Sequence, residues 1–172
     1  MRGGMSVLEV RRHAERAMGT VLTPRGEKTA RALAGAKYAL VVSSPLERAK
    51  RTAELIGGRL DATEPGLLPD IGGAGVFGSM ATLAEWRALL RSDPKARAFA
   101  HEQLRTWARI AARVGPKDRV LVISHGGIIE LPIVALAEEI GMPMDGPSFA
   151  NLEGALITYD KKKRTTLELL RA

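Results

Sequence analysis

The stretch that decides the fold is Val7-Leu8-Glu9-Val10-Arg11-Arg12-His13-Ala14-Glu15. Its first part, Val7 to Val10, is short and largely apolar with β-branched residues, and reads as a strand running into a polar turn. In an open α/β sheet, chemistry sits beyond the carboxyl ends of the strands. An arginine followed at once by a histidine at such an end is a candidate anion site with a nucleophile in it. Two later stretches repeat the arrangement. Ala39 to Ser43 is an apolar strand, and Ser44-Pro45-Leu46-Glu47-Arg48 opens a helix after it. Arg119 to Ser124 is another strand, and His125-Gly126-Gly127 opens the next helix. Three strand ends would thus bring Arg12, His13, Arg48 and His125 together.

Between these strands the pattern is helical. Thr23-Pro24-Arg25-Gly26-Glu27 reads as a capped start, with Ala30, Leu33 and Ala34 facing the core and Gly35 ending the helix. Ser44-Pro45 reads as a second cap-plus-proline start; Leu46, Ala49, Ala53 and Ile56 follow at helical spacing, and Gly57-Gly58 is the stop. Arg48 falls in the first turn, from which its side chain leans back toward the strand end. A short strand is expected at 62–64. Residues 71–79 read as a glycine-rich rim or lid. Their Gly73-x-Gly75-x-x-Gly78 has the spacing of a dinucleotide fingerprint, but Pro69-Asp70 breaks the strand that must precede one.

Residues 79–91 (Leu83, Trp86, Leu90) and 94–114 (Ala100, Leu104, Trp107, Ala111, Val114) read as amphipathic helices, with His101 on a solvated face. Gly127 to Ile140 is the helix after the third strand. Leu152 to Tyr159 and Thr165 to Leu170 form a closing strand pair.

Composition fits one domain over residues 1–172, with 45% hydrophobic and 26% charged residues. No apolar run approaches the roughly 20 residues of a membrane span, so no membrane partner is expected. The absence of cysteine rules out thiolate chemistry. Together with an N-terminus that lacks the apolar run of a signal peptide, it makes a cytoplasmic location the expectation. The net charge of +7 suits steering of anionic substrates. Nucleic acid is not an expected partner: Lys161-Lys162-Lys163-Arg164 reads as a turn, and aromatics at 4% are too sparse for a base-stacking platform. Val122 replaces the first glycine of a G-x-S-x-G elbow before Ser124, which argues against a serine hydrolase. The three histidines lack the spacing of a metal site, and no Walker loop is present, so no metal or cofactor is expected.

Phosphoryl transfer needs a nucleophile, positive charge on the equatorial oxygens and, for a poor leaving group, an acid. His13 suits the first role, because a neutral imidazole attacks phosphorus directly. Arg12 and Arg48 each offer a planar fork of donors matched to phosphate oxygens. His125, protonated in the field of a bound anion, would donate to another oxygen. Helix starts at Pro45 and Gly126 add oriented amides. Each residue alone would pass for a surface histidine, a helix-surface charge or a plain strand-to-helix turn; their joint recurrence at strand ends is the signal.

Taken together, L-x-V-x-R-H-A-E, S-S-P-L-x-R-A-x-R-T-A and V-x-I-S-H-G-G resemble the histidine phosphatase superfamily, the fold of the cofactor-dependent phosphoglycerate mutases and many small phosphatases. The resemblance runs from about Val7 to Asp160. It implies an α/β fold, a three-layer α/β/α arrangement with a mixed, mostly parallel sheet, here with a helical insert. It implies a metal-free, two-step reaction in which His13 is phosphorylated, Arg12 and Arg48 are the pocket arginines and His125 is the second histidine. Glu15 and Gly126 are candidate substrate contacts beside them.

Ala14 stands where the usual motif has glycine. Alanine there, and Leu22-Thr23-Pro24-Arg25-Gly26, resemble the prokaryotic phosphohistidine phosphatase branch, which typically lacks the insert. The family's acid lies in an L-x-E-x-x-x-G context; Leu68-Pro69-Asp70-Ile71-Gly72 fills it with Asp70, and Glu64 is the second candidate. The glutamate-arginine-tyrosine signature of the mutases is absent, which favours hydrolysis. The expectation is a metal-independent phosphomonoesterase acting on a small phosphorylated metabolite. The alternatives are a protein phosphohistidine phosphatase, which requires an open, shallow cleft, and a non-catalytic phosphate-binding module.

Overall fold

The computed structural model describes residues 5–19, 21–69, 77–160 and 163–172. Its centre is one six-stranded sheet: β1 (Ser6–Arg12), β2 (Leu40–Ser43), β3 (Ala62–Thr63), β4 (Arg119–Ser124), β5 (Gly154–Asp160) and β6 (Lys163–Leu170), in the order β3-β2-β4-β1-β5-β6. The four strands from β3 to β1 are parallel; β5 is antiparallel to β1, and β6 to β5. This is the mixed, mostly parallel sheet expected. The side chains of β4 alternate between its two faces. Val120 and Val122 share one core cluster with Leu8, Val10 and Val42, while Leu121 and Ile123 share the other with Val41. A parallel strand buried on both faces carries apolar residues at successive positions, which is why these strands read as continuous apolar runs.

Helices α1 (Pro24–Arg31) and α2 (Glu47–Gly57) cover the second face, and α3 (Leu83–Ser92), α4 (Pro94–Ala111) and α5 (Glu130–Glu139) cover the first. Trp86, Trp107 and Leu104 are almost wholly buried in the core cluster on that side of the sheet. The insert α3–α4 is therefore one side of the core. Thr82 and Glu85 close a reciprocal capping box at its start, so α3 begins at Leu83, four residues after the expected start at 79.

Several boundaries differ from the sequence reading. Thr23 caps α1 as expected, accepting from the Gly26 amide at 2.9 Å, but α1 ends at Arg31, and Leu33 and Ala34 are exposed rather than core-facing. Ser44 does not cap α2, whose first turn has no side-chain cap; its hydroxyl is engaged elsewhere. Gly58, with φ 77°, closes α2 in the left-handed conformation as its glycine pair predicts. α5 starts at Glu130, because 126–129 form an irregular turn first. Lys163 and Arg164 belong to β6, paired with Asp160 and Tyr159, rather than to a turn. The expected rim at 71–79 falls mostly outside the described residues. No helix among the described residues is long and apolar enough to cross a membrane.

Candidate active site

Strand register assembles the site. Arg12 lies opposite Ser124, and Ser43 opposite Ile123, so β1, β2 and β4 end level with one another. The next residues of the three chains continue the pairing. The His13 amide donates to the Ser124 carbonyl and the Ser44 amide to the Ile123 carbonyl, both at 3.0 Å. His13, Ser44 and His125 therefore leave the sheet side by side.

His13 is buried, 4% exposed, and its ring atoms have defined roles. Nδ1 lies 2.7 Å from the Ala14 carbonyl oxygen, so Nδ1 carries the proton and donates it there. Nε2 is then the lone-pair nitrogen, and Arg48 Nε donates to it at 3.1 Å. Burial, with the nearby charges of Arg48, Arg12 and Arg16, pushes the His13 pKa down to about 4. The imidazole is neutral at pH 7.

The His13 and His125 rings meet edge to face, their centroids 5.3 Å apart. His125 Nε2 lies 2.6 Å from Ser44 Oγ, which also accepts from the Leu46 amide at 3.2 Å. Burial, then the positive surroundings of His13, Arg48 and Arg12, brings the His125 pKa down to about 3. His125 is thus neutral in the ligand-free protein. The protonated form expected from the sequence requires the charge of a bound anion. Among the described residues its buried Nδ1 has no hydrogen-bond partner, nor does Nε of Arg12. Two unsatisfied buried groups in one pocket cost stability unless a ligand satisfies them.

Arg12 is fixed through Nη1, which donates to the Phe149 carbonyl at 2.9 Å. Gly126 makes room for it: a Cβ there would lie 2.9 Å from the guanidinium carbon. Gly126 therefore serves the pocket through Arg12 packing, whatever its contact with substrate. Glu15 lines the open cleft with Arg12 and His13, but its carboxylate already accepts from Thr23 Oγ1 at 3.0 Å and lies 3.9 Å from Arg25 Nε. Glu64 follows β3, and its Oε1 accepts from the Gly66 amide at 2.9 Å, capping the short helical turn Pro65–Leu67. Asp70 lies outside the described residues. Among the described residues no group of three histidine or carboxylate side chains could hold a metal ion.

The sequence reading missed four supporting residues. Thr52 Oγ1 accepts from the Ala14 amide at 3.0 Å and donates to the Arg48 carbonyl at 2.7 Å, tying the loop of His13 to the helix of Arg48. Its spacing of four from Arg48 on a helix was a usable signal. Asn151 Nδ2 donates to the His13 carbonyl at 3.0 Å, from a loop with no local motif. Ser44, which its sequence context marks as a cap, instead meets His125. Glu130, 2% exposed, accepts from the Gly127 amide at 2.6 Å and holds the turn after His125. Burial raises its pKa, against hydrogen bonds from Gly127 and Phe149 and the charge of Arg12.

A neutral buried histidine, two arginines and a second buried histidine gathered at parallel strand ends form a pocket with the chemistry phosphoryl transfer requires. The description "histidine phosphatase superfamily (branch 1)" matches residues 1–170, and the chain belongs to that superfamily: it is an enzyme of the phosphatase class. Solved structures with the same fold include a phosphoglycerate mutase from Bacillus anthracis str. Sterne (18% identity, TM-score 0.69, covering 98% of this chain and 93% of that one). Another is a phosphoserine phosphatase from Entamoeba histolytica in complex with 3-phosphoglyceric acid (16% identity, TM-score 0.67, 97% and 98%). A third is a mycobacterial glucosyl-3-phosphoglycerate phosphatase (20% identity, TM-score 0.61, 99% and 99%). At these identities the likeness speaks for the fold. Among curated proteins none matches the sequence.

Proposed function

We propose that the protein hydrolyses phosphate monoesters of small metabolites through a phosphohistidine at His13, without a metal ion. The observation that carries the reading is the tautomer of His13. With the Nδ1 proton given to the Ala14 carbonyl, Nε2 holds a lone pair beside Arg48, on a ring that stays neutral down to about pH 4. Nε2 forms the P–N bond as the ester P–O bond breaks, and the departing oxygen takes a proton. The positive charge that develops on the ring is shared with the Ala14 carbonyl. Water then adds to phosphorus, the P–N bond breaks and inorganic phosphate leaves.

Arg12 and Arg48 hold the equatorial oxygens, and His125 joins them once the anion raises its pKa. The reading assigns the leaving-group proton to Asp70, with Glu64 as the alternative. Metabolite substrates are supported by the relatives of the same fold that act on phosphoserine and on glucosyl-3-phosphoglycerate.

The test is a brief reaction with radiolabelled phenyl phosphate quenched in alkaline denaturant, with and without EDTA. Wild type should retain acid-labile label in both, and His13→Ala should retain none. Activity restored only by added metal, or label on a residue other than His13, would overturn the mechanism.

A further inference from the structure

The cleft that opens from His13 carries a second guanidinium beside Arg12, one that the proposed phosphoryl contacts do not use. It has a volume of about 340 Å³ and is lined by Arg12, His13, Glu15, Arg16, Met18 and Asn151. A phosphate monoester carries close to two negative charges above its second pKa of about 6. The proposed function assigns Arg12 and Arg48 to that phosphoryl group; Arg12 lines this cleft, and Arg48 donates to His13 from outside its lining. The one carboxylate on this cleft, Glu15, is committed to Thr23 and faces Arg25. Arg16 lines the cleft and has no part in those contacts. Its Nη1 donates to the Gly19 carbonyl at 3.0 Å, and among the described residues it forms no ion pair. Its charge reaches the centre of the site, since it contributes to lowering the pKa of both His13 and His125.

The backbone carrying Arg16 is held. The Ala17 amide donates to the Val21 carbonyl at 3.0 Å, and Arg16 bridges Leu22. A guanidinium three residues beyond the nucleophile, on a tied loop facing the same cleft, is placed to meet the leaving group.

We infer that Arg16 is a specificity-determining residue that binds a second anionic group, a carboxylate or a further phosphate, on the leaving side of the substrate. The inference rests on the phosphatase reading in placing phosphate between Arg12, Arg48 and His13. An unpaired guanidinium recognises a carboxylate through paired, charge-assisted donors. A neutral or cationic leaving group of equal size lacks that contact.

The experiment measures binding, so that it stands apart from turnover. Phenylphosphonate and its 3- and 4-carboxy derivatives are titrated calorimetrically into wild type, Arg16→Gln and Arg16→Lys at mildly alkaline pH. Wild type should bind the better-fitting carboxy compound about fivefold more tightly than the parent, the upper range for a partly exposed pair. The ratio should fall to about one in Arg16→Gln, stand between in Arg16→Lys, and shrink with added salt in wild type. Equal ratios in wild type and Arg16→Gln overturn the assignment, as does a wild type with no carboxylate preference. Parallel assays on phenyl phosphate separate the two readings. Turnover without the preference removes Arg16 and leaves the hydrolase; preference without turnover keeps Arg16 and removes the hydrolase.

Discussion

Gly126→Ala separates catalysis from folding, because the three atoms nearest the added methyl group all belong to the tip of the Arg12 side chain. The new Cβ would lie 2.9 Å from both the guanidinium carbon and Nε of Arg12 and 3.0 Å from Nη1. Relief to an ordinary contact of 3.4 Å or more requires the guanidinium to move by about half an ångström. Arg12 is held on its other side by the Phe149 carbonyl at 2.9 Å, so this movement loosens that bond and takes the fork away from the phosphoryl oxygens.

A displacement of this size, weakening one charge-assisted contact in the transition state, corresponds to about 1.5–3 kcal/mol, or roughly ten- to a hundredfold in kcat/KM. Stability should barely change. Gly126 does not adopt a positive φ, and alanine reduces the entropy of the unfolded chain by up to about 1 kcal/mol. The assay pairs kcat/KM on an aryl phosphate with the thermal midpoint of the same preparation. A folded Gly126→Ala protein with wild-type kcat/KM would refute the placement of Arg12 at the reacting phosphate.

Four further outcomes follow from the same geometry. Stability should fall with acidification below pH 6.5: His13 and His125 have folded pKa values of about 4 and about 3, so the unfolded chain binds more protons in that window. Each histidine should contribute up to about 1.4 kcal/mol per pH unit near pH 5, and His125→Gln should reduce the slope in urea melts at pH 7, 6 and 5. A slope unchanged by the substitution would contradict its burial in the neutral form. Thr52→Val keeps the shape but strands the buried Ala14 amide, so the unfolding free energy should drop by about 1–3 kcal/mol, with a loss of kcat beyond what the stability change explains; chemical denaturation and steady-state kinetics read the two effects. Gly154→Ala places a Cβ 1.9 Å from the Val10 carbonyl, a backbone atom of the paired strand, so it should lower the thermal midpoint severely or abolish soluble expression. Asp70→Asn should slow alkyl phosphates far more than nitrophenyl phosphate if Asp70 is the acid; a selective loss in Glu64→Gln instead moves the acid to Glu64.

The sequence alone was enough for the strand-and-helix order and for the principal members of the pocket. β2 and β4 are buried on both faces, so their apolar runs are unbroken, while β1 carries Leu8 and Val10 into one core cluster and pairs its buried Glu9 with Arg11 and Arg119 on the other face; each strand is followed by local chemistry that does not depend on distant contacts. Arg12-His13, Arg48 and His125 were legible because the parallel register lines up whatever follows those runs. The tertiary structure decided the protonation of that pocket and the residues that hold it. Burial, the sum of all surrounding chain, makes His125 neutral before an anion arrives, which no local motif encodes.

Ser44 shows the same limit. Ser-Pro before a helix is a capping signal, but the hydroxyl is 2.6 Å from a histidine 81 residues away, and that contact exists only once β2 and β4 pair. Leu33 and Ala34 are exposed because α1 ends before its apolar period does. Asn151 and Thr52 reach the loop of His13 from separate segments, and Gly126 is small because Arg12 lies across it. Motifs specify the groups gathered in the pocket, since those follow their own strands; the fold specifies their charge state and fixity, since burial and hydrogen bonding are properties of the packed chain.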